Sequence, residues 1–394
     1  MRRVVITGIG PLGAGWRGAA DFFRALLEKE TLLAPIPPEY ERHYRFKSRF
    51  FVPAPAFPEP DRHLDVFLQI ALECAALALD DAGLEDLRGG GMVLGVGMGG
   101  LNAALPSYVA HAHGTGRFNR LVIPLSMPNS PVAWIGTRHG ADREGFTVNA
   151  ACASGTVAVG EAFRRIRDGQ VDLVLSGGVE CLLDPCGAMM RGFDALQVLT
   201  QAADGLPRPF SQKRSGFLFN MGAGCALILE ERERALRRGA RIYAEILDYA
   251  ACTASGGNIV ALPEDLTPLL AMFRIARGIR IDYFNAHGTG TEQSDRVERD
   301  IIRRIWDERG ERQPYISATK GIIGHSLGAS GALEAAATAL SIHHGQAHGN
   351  LTDAVMEGIC CPQDSADIAI EHALSASYGF GGHNALLLLK RHRA

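Results

Sequence analysis

The sequence predicts an α/β fold built from two similar halves. Short apolar runs typical of buried strands alternate with longer segments that have helical spacing, a pattern that favours sheets covered by helices on both faces. Both halves of the chain open with a strand-like run and close on an apolar strand. We therefore expect a largely parallel sheet and a duplicated unit, with residues 1–240 and 241–394 as its two domains.

The first half contains five strand-like runs and two clear helical patterns. Apolar and β-branched residues dominate the runs, and the helical segments repeat apolar residues every three or four positions. The predicted strands cover residues 4–10, 92–99, 146–150, 172–178 and 225–230, and the predicted helices cover 67–83 and 155–169. Residues 30–63 are rich in proline and aromatic residues, which indicates an irregular surface loop.

The second half follows a charged segment, residues 231–241, that is typical of an exposed helix. Its strand-like runs again alternate with helical patterns. The predicted strands cover residues 244–250, 282–288, 315–320, 373–380 and 385–391, and the predicted helices lie around 292–307 and 327–342.

Composition excludes several classes of protein. The 394 residues include 47% hydrophobic and 21% charged residues, as in a soluble globular protein. A formal net charge of −3 argues against a nucleic-acid partner. No apolar run approaches the roughly 18 residues that cross a bilayer, and the amino terminus lacks a signal-peptide pattern. We expect a cytoplasmic protein with no membrane partner.

The eight cysteines include one in an unusual setting. None form a C-x-x-C pair and no Cys/His spacing fits zinc, so we expect reduced cysteines and no metal. Most are interpreted as small buried apolar residues. Cys152 differs because it lies between a buried strand and the first turn of a helix, where small neighbours leave room for a substrate. It is a candidate nucleophile.

Two of the 13 histidines follow predicted strands in the second half. His287 stands before a glycine-threonine turn, and His325 stands before a helix built from glycine and alanine, five residues after Lys320. Sites of α/β proteins gather at the carboxyl ends of strands, so both histidines are candidate partners of a nucleophilic cysteine.

Four segments in order resemble the β-ketoacyl-acyl carrier protein synthases of the I/II type. They are ACASG around Cys152, NAHGTGT at 285–291, KGIIGHSLGASGALE at 320–334 and GFGGHN at 379–384. RPFSQKRSGF at 208–217 is similar to a further segment of that family. The resemblance covers nearly the whole chain. It implies the thiolase fold, two similar halves stacked as five α-β-α-β-α layers, in a homodimer.

The resemblance also implies an activity, a decarboxylating Claisen condensation in fatty acid or polyketide-like synthesis. An acyl group passes from an acyl carrier protein to the thiol of Cys152. A malonyl carrier then loses carbon dioxide, and its carbanion attacks the acyl-enzyme. The partner is therefore acyl carrier protein, and no cofactor is implied.

The family pattern assigns roles to individual residues. Cys152 is the nucleophile, and we expect amides at the start of its helix to keep its thiol readily ionisable near neutral pH. His287 and His325 hydrogen-bond the malonyl thioester carbonyl. The amides of Cys152 and Phe380 hold an oxyanion, and the glycines around Phe380 make its loop flexible enough to gate the pocket. Those substrate-contacting glycines are Gly379 and Gly381.

Supporting residues follow from the same motifs. Lys320 and Glu334 are expected to orient His325 and to set the local potential. Thr289 and Thr291 match threonines that bind the phosphopantetheine arm. The expected docking residues for an acidic carrier protein are Arg62, Lys213 and Arg214.

The sequence departs from the family at several positions. Asn220 and Met221 stand where glycine and glutamate are usual, Ala376 replaces a frequent asparagine, and His383 replaces a threonine. Tyr378 replaces a phenylalanine. None of these changes affects the cysteine or the two histidines.

Three alternatives fit the same fold. A non-catalytic subunit resembling a chain-length factor, or a decarboxylase without a condensing role, is expected to lack the cysteine. A thiolase is expected to carry a second catalytic cysteine near the carboxyl terminus, and the GFGGHN segment has none.

Overall fold

The structure is a computed structural model that describes residues 1–116, 118–254, 259–260 and 263–393. Its largest element in these ranges is a sheet of eleven strands. Ten of them form two sets of five. The eleventh is the short strand Trp16–Arg17, which pairs with Leu12 and Gly13. The first set is β1 Val4–Gly13, β2 Gly91–Gly95, β3 Gly145–Val148, β4 Leu173–Cys181 and β5 Gly222–Glu231. The second set is β6 Ala244–Thr253, β7 Tyr283–Asn285, β8 Tyr315–Ser317, β9 His372–Gly379 and β10 His383–Lys390.

The second set of strands repeats the order and direction of the first. The strands run β8-β7-β9-β10-β6-β1-β5-β4-β2-β3 across the sheet, and β1 and β6 meet antiparallel at its centre. In each half the outer three strands are parallel, and the remaining pairs are antiparallel. The predicted division into domains at residue 240 stays a prediction.

The expectation of a largely parallel sheet is wrong, because the sheet is mixed. The cause is clearest at β9 and β10, which only a three-residue turn, Phe380–Gly382, separates. A connection this short cannot make the crossover that parallel strands need.

Helices cover both faces of the strands and fill the space between the halves. They are α1 Gly18–Leu27, α2 Val66–Ala82, α3 Leu101–His113, α4 Val122–Ser126, α5 Ser130–His139, α6 Ser154–Arg167, α7 Ala188–Ala195, α8 Arg232–Arg237, α9 Thr267–Met272, α10 Glu292–Arg309, α11 Lys320–Ile323 and α12 Ser330–His344. The predicted helices correspond to α2, α6, α8, α10 and α12. Of the others, α4, α9 and α11 are short, and α3, α5 and α7 are interrupted by proline or glycine. Helix α1 has neither feature and was overlooked. None of the described helices is both long and apolar enough to cross a membrane.

Helices α6 and α12 lie between the two halves and contact strands of both. Small residues make this approach possible: a Cβ atom on Gly155 would lie 2.5 Å from the Ala332 nitrogen, and one on Gly331 would lie 2.2 Å from the Thr156 hydroxyl. Helices α2 and α5 cover the outer face of the first half, and α9 and α10 cover that of the second. The result is five layers, α-β-α-β-α, as the family resemblance implied.

Candidate active site

Cys152 lies in the tight turn that joins β3 to α6. The preceding residue, Ala151, has a φ of 49°, a left-handed conformation that is uncommon outside glycine. The Ser154 hydroxyl holds this turn, because it donates to the Ala151 carbonyl at 2.6 Å and accepts from the Ala150 N–H at 2.8 Å. The strained turn therefore fixes the thiol just before the first turn of α6.

The structure brings the predicted nucleophile and both histidines together. Cys152, His287, His325 and Phe380 line one cavity of about 490 Å³. Three other predicted residues also line it: Thr289, Thr291 and Gly379. Gly381 lies outside the lining, and its φ of 77° serves the turn between β9 and β10. The Thr289 and Thr291 hydroxyls lie 3.1 Å apart.

His287 has a single tautomer available. The Lys320 amine lies 3.1 Å from His287 Nδ1 and donates to the His287 carbonyl at 2.9 Å. A lysine ammonium has donors only, so Nδ1 must accept and Nε2 must carry the proton. Burial, Lys320 and His325 hold the pKa of His287 well below its usual range, so the ring is neutral. His287 is thus a neutral ring that donates through Nε2.

His325 is oriented by a hydroxyl, not by Lys320 as the sequence predicted. Its Nδ1 lies 2.8 Å from Ser330 Oγ, at the start of α12. A hydroxyl can donate or accept, so His325 can carry its proton on either ring nitrogen. Burial and the Lys320 charge hold the pKa of His325 well below its usual range. The two histidines therefore differ: His287 is fixed as a donor, and His325 can also act as a base.

Lys320 and Glu334 form a fully buried ion pair behind the histidines. Burial raises the pKa of Glu334 to about 7, although Lys320 opposes this rise. The second carboxylate oxygen accepts from the Ser377 hydroxyl at 3.2 Å, and Ser377 contacts Thr156 at 2.7 Å. The network thus links the His287 loop to α12, β9 and α6.

Two buried carboxylates on α10 fix the loop that carries His287. Glu298 accepts from the backbone N–H groups of His287 at 2.7 Å and Gly288 at 2.8 Å. Asp295 accepts from those of Gly290 at 3.0 Å and Phe210 at 2.7 Å. Sequence reasoning gave them no role. The sequence did contain a usable signal. The two acidic residues stand three positions apart in the helix after a glycine-rich loop, which puts both carboxylates on the same face of that helix.

Burial of the Cys152 thiol opposes the ready ionisation that the sequence predicts. Burial raises its pKa to about 11, although the Lys320 charge and a hydrogen bond from the Phe380 amide act in the opposite direction. The amide comes close because β9 ends in glycine: a Cβ on Gly379 would lie 2.6 Å from the Ala150 carbonyl oxygen. Attack by the thiol therefore requires a base.

The predicted docking residues have different surroundings. Arg62 is exposed and forms no ion pair with any described residue. Lys213 pairs with Asp353 at 3.1 Å. Arg214 is only 11% exposed and donates to the carbonyls of Ser211, Thr291 and Glu292. These hydrogen bonds stabilise the loop before α10 and occupy the guanidinium, so Arg214 is not available to bind a carrier.

The departures from the family pattern include one that supports His325. Asn220 donates to the Ile323 carbonyl at 2.7 Å, and its own N–H donates to the His325 carbonyl at 3.2 Å. Met221 is buried in the apolar cluster that includes Cys152. Tyr378 is buried with its ring 5.6 Å from that of His287. Ala376 is buried and His383 is exposed.

Comparison with known proteins gives consistent matches. The chain matches the models Beta-ketoacyl synthase, N-terminal domain, over residues 1–235 and Beta-ketoacyl synthase, C-terminal domain, over residues 244–352. It is 34% identical to the 3-oxoacyl-[acyl-carrier-protein] synthase 2 of Rhizobium meliloti, covering 100% of this chain and 99% of the relative. It is 32% identical to the actinorhodin polyketide putative beta-ketoacyl synthase 1 of Streptomyces coelicolor, covering 99% of this chain and 88% of the relative.

Solved structures agree over the whole chain. A beta-ketoacyl synthase from Burkholderia phymatum matches with a TM-score of 0.86 and 28% identity, covering 100% of both chains. A type II polyketide ketosynthase bound to the hexaketide, in complex with its acyl-carrier protein, matches with a TM-score of 0.84 and 25% identity, again covering 100% of both chains. The predicted thiolase fold is therefore confirmed.

Proposed function

The chain belongs to the β-ketoacyl synthase family of acyl-transferring condensing enzymes, and we propose that it is a 3-oxoacyl-acyl carrier protein synthase that works through Cys152, His287 and His325. One observation carries this assignment: a thiol from the first half and two neutral imidazoles from the second line the same cavity. The family supplies the reaction, and the surroundings of each side chain support its role.

The first step is acyl transfer to the enzyme. Cys152 Sγ attacks the thioester carbonyl, and the thiol proton passes to Nε2 of His325 while Nδ1–H donates to Ser330. The tetrahedral oxyanion accepts from the amides of Cys152 and Phe380. The bond to the carrier sulfur then breaks, and that sulfur takes the proton from His325, which leaves both imidazoles neutral.

The second step needs two hydrogen-bond donors. His287 donates through Nε2 to the malonyl thioester carbonyl, and His325 donates from the same side once its proton is on Nε2. Loss of carbon dioxide leaves an enolate, whose carbon attacks the acyl carbonyl on Cys152. The C–C bond forms and the C–S bond breaks, which leaves the Cys152 thiolate, and this takes a proton from solvent to regenerate the thiol. Loss of one preorganised donor typically costs about 3 kcal/mol of barrier.

We further propose that the enzyme takes its acyl groups from an acyl carrier protein. The solved ketosynthase in complex with its carrier supports this partner, since it matches the present chain over its full length. Thr289 and Thr291 line the cavity, and we assign their hydroxyls to hydrogen bonds with the phosphopantetheine arm.

The experiment that tests the proposal is acyl loading followed by intact-mass analysis. Wild-type protein is incubated with a panel of acyl carriers, and Cys152→Ala is treated in the same way. We expect one acyl group on the wild type and none on the variant. Equal loading of both proteins would contradict the nucleophile.

A second arm separates the two chemical steps. His287→Ala should still acquire an acyl group on Cys152 but should lose malonyl decarboxylation by about 100-fold, the usual effect of losing one donor. Unchanged release of carbon dioxide would remove the assigned role of His287.

A further inference from the structure

A cationic loop lies on the surface between β1 and α2. We define the basic loop as residues 42–49, in which Arg42, Arg45, Lys47 and Arg49 are all exposed and no acidic residue occurs. None of these four cations forms an ion pair with a described residue. The whole chain has a net charge of −3, so this concentration of positive charge is local. Arg191 on α7 extends it, with its guanidinium 4.8 Å from the centre of the Tyr44 ring.

The basic loop is held in one conformation. The buried carboxylate of Asp194 accepts from the Tyr44 hydroxyl at 2.8 Å and from the backbone N–H groups of Lys47 at 3.1 Å and Ser48 at 3.0 Å. Phe46 is buried in the apolar cluster that also contains Cys152. The four cations therefore project from a fixed backbone, and little ordering entropy is lost when a partner binds.

The loop lies next to the cavity that contains Cys152. Asp194, its anchor, belongs to α7, and the residues around the end of that helix line the cavity. Those lining residues are Phe193, Leu196, Gln197, Val198 and Gln201. Phe50, just after the loop, packs against Gly205, which lies in the segment after α7.

The predicted docking residues provide too few unpaired cations to bind an acidic carrier, and the basic loop provides more. Arg214 is held by three backbone carbonyls and Lys213 is paired with Asp353, so Arg62 alone of the predicted set lacks an ion pair in the described chain. An acidic carrier needs several unpaired cations near the cavity, because complementary charge steers encounter and fixes orientation.

We propose that the basic loop and Arg191 are the docking surface for the acidic face of an acyl carrier protein. This inference rests on the proposed function, since it names where the carrier of that reaction binds. No ion pair within the described chain has to break for these cations to contact carboxylates.

Direct binding tests the surface independently of catalysis. The probe is a fluorescently labelled bacterial holo-acyl carrier protein, titrated with wild type, with Arg45→Glu/Lys47→Glu/Arg49→Glu, and with a control of equal charge change, Arg274→Glu/Arg277→Glu/Arg312→Glu. The control cations are also exposed and lack ion pairs in the described chain, and they lie near α9 and the end of α10. We expect the loop variant to raise the Kd at least tenfold and to flatten its salt dependence, and the control to stay within twofold of wild type.

A parallel assay measures acylation of Cys152 by a small acyl-N-acetylcysteamine thioester, which has no carrier protein. The proposal predicts that the loop variant loses acylation from the carrier but accepts this donor as wild type does. Equal Kd values for wild type and loop variant overturn the docking surface, as does equal loss with both donors. The neutral Arg45→Gln/Lys47→Gln/Arg49→Gln replaces the loop variant if the latter does not fold. If wild type binds the carrier through the loop but accepts no acyl group, the proposed function fails while the docking surface stands.

Discussion

Lys320 gives the two histidines different chemistry although both face the same cavity. Its amine contacts His287 Nδ1 and the Glu334 carboxylate, so its donors fix the tautomer of His287. His325 instead meets Ser330, whose hydroxyl allows either tautomer. Motifs alone did not predict this split, because Lys320 is five residues from His325 in sequence and 33 from His287. Lys320 reaches His287 because β8, which precedes Lys320, pairs in parallel with β7, which precedes His287.

The lowered pKa of His325 predicts the pH dependence of acyl transfer to Cys152, in which the neutral ring accepts the thiol proton. An imidazole with a depressed pKa stays neutral below its ordinary value of 6.5, so acylation of Cys152 by an acyl carrier should show no fall near pH 6.5. Replacing the buried pair with Lys320→Met/Glu334→Gln removes the cation that helps to lower the His325 pKa without leaving an unpaired charge. The rate should then fall as pH drops through a higher value than in wild type. Identical profiles for the two proteins would contradict the electrostatic role of Lys320.

The raised pKa of Cys152 predicts how its intrinsic reactivity varies with pH. Since burial raises the pKa to about 11, the thiolate fraction should rise about tenfold for each pH unit between 7 and 10. Alkylation by iodoacetamide, followed at the Cys152 peptide by mass spectrometry, should therefore rise without a plateau. The exposed thiol of Cys186, read from the same digest, gives the comparison for each sample. A plateau for Cys152 near neutral pH would mean that the helix terminus outweighs burial.

At the scale of elements, the site depends on close contact between the end of β9 and the turn before α6. The sequence predicted both elements, and their small residues indicated that a substrate approaches there. It did not indicate that Gly379 fits against the Ala150 carbonyl, because that contact joins positions more than 200 residues apart. Likewise, a parallel sheet was inferred from alternating helices and strands, and the three-residue turn before β10 was the overlooked signal.

Gly379→Ala tests this contact between elements. The new Cβ would lie 2.6 Å from the Ala150 oxygen, so either β9 or the Cys152 turn must shift. Because a displacement of about 1 Å at a reacting group costs about 100-fold in rate, we expect acylation of Cys152 to fall by that factor. The matched control is Gly192→Ala in α7, where nothing lies within 4 Å of the added Cβ. Equal acylation rates in the two variants would show that the close approach does not position the thiol.

At the scale of the whole molecule, the repeat explains how one cavity receives groups from distant parts of the chain. The two sets of strands have the same order and direction, and α6 and α12 pack between them. Cys152 follows β3 in the first set. In the second set, His287 follows β7 and Lys320 follows β8, the strands equivalent to β2 and β3. The sequence could predict the duplication, since both halves show the same alternation. It could not predict how the halves meet, because the pairing of β1 with β6 covers only three residues of each strand.

The two ends of this sheet differ, and the difference bears on the expected homodimer. The β8 end is covered, because the Ser317 hydroxyl donates to the His348 carbonyl and the Ala318 N–H donates to Asn350. The β3 end has no further strand among the described residues. Exposed apolar side chains are concentrated in residues 98–127, in the region of α3 and α4. They are Met98, Tyr108, Val109, Phe118, Leu121, Ile123 and Met127.

We predict that this apolar surface is covered by a second copy of the chain. An unpaired strand edge and a set of exposed apolar side chains both favour association, and a two-fold dimer would bury each set against its equivalent. Sedimentation velocity should therefore give a dimer for wild type, and Leu121→Glu/Ile123→Glu should shift it to monomer, because it would bring four carboxylates into one apolar interface. Leu236→Glu, an exposed apolar position on α8, is the control that should remain dimeric. A monomeric wild type at micromolar concentration, or a dimer that tolerates both glutamates, would locate the interface elsewhere or exclude it.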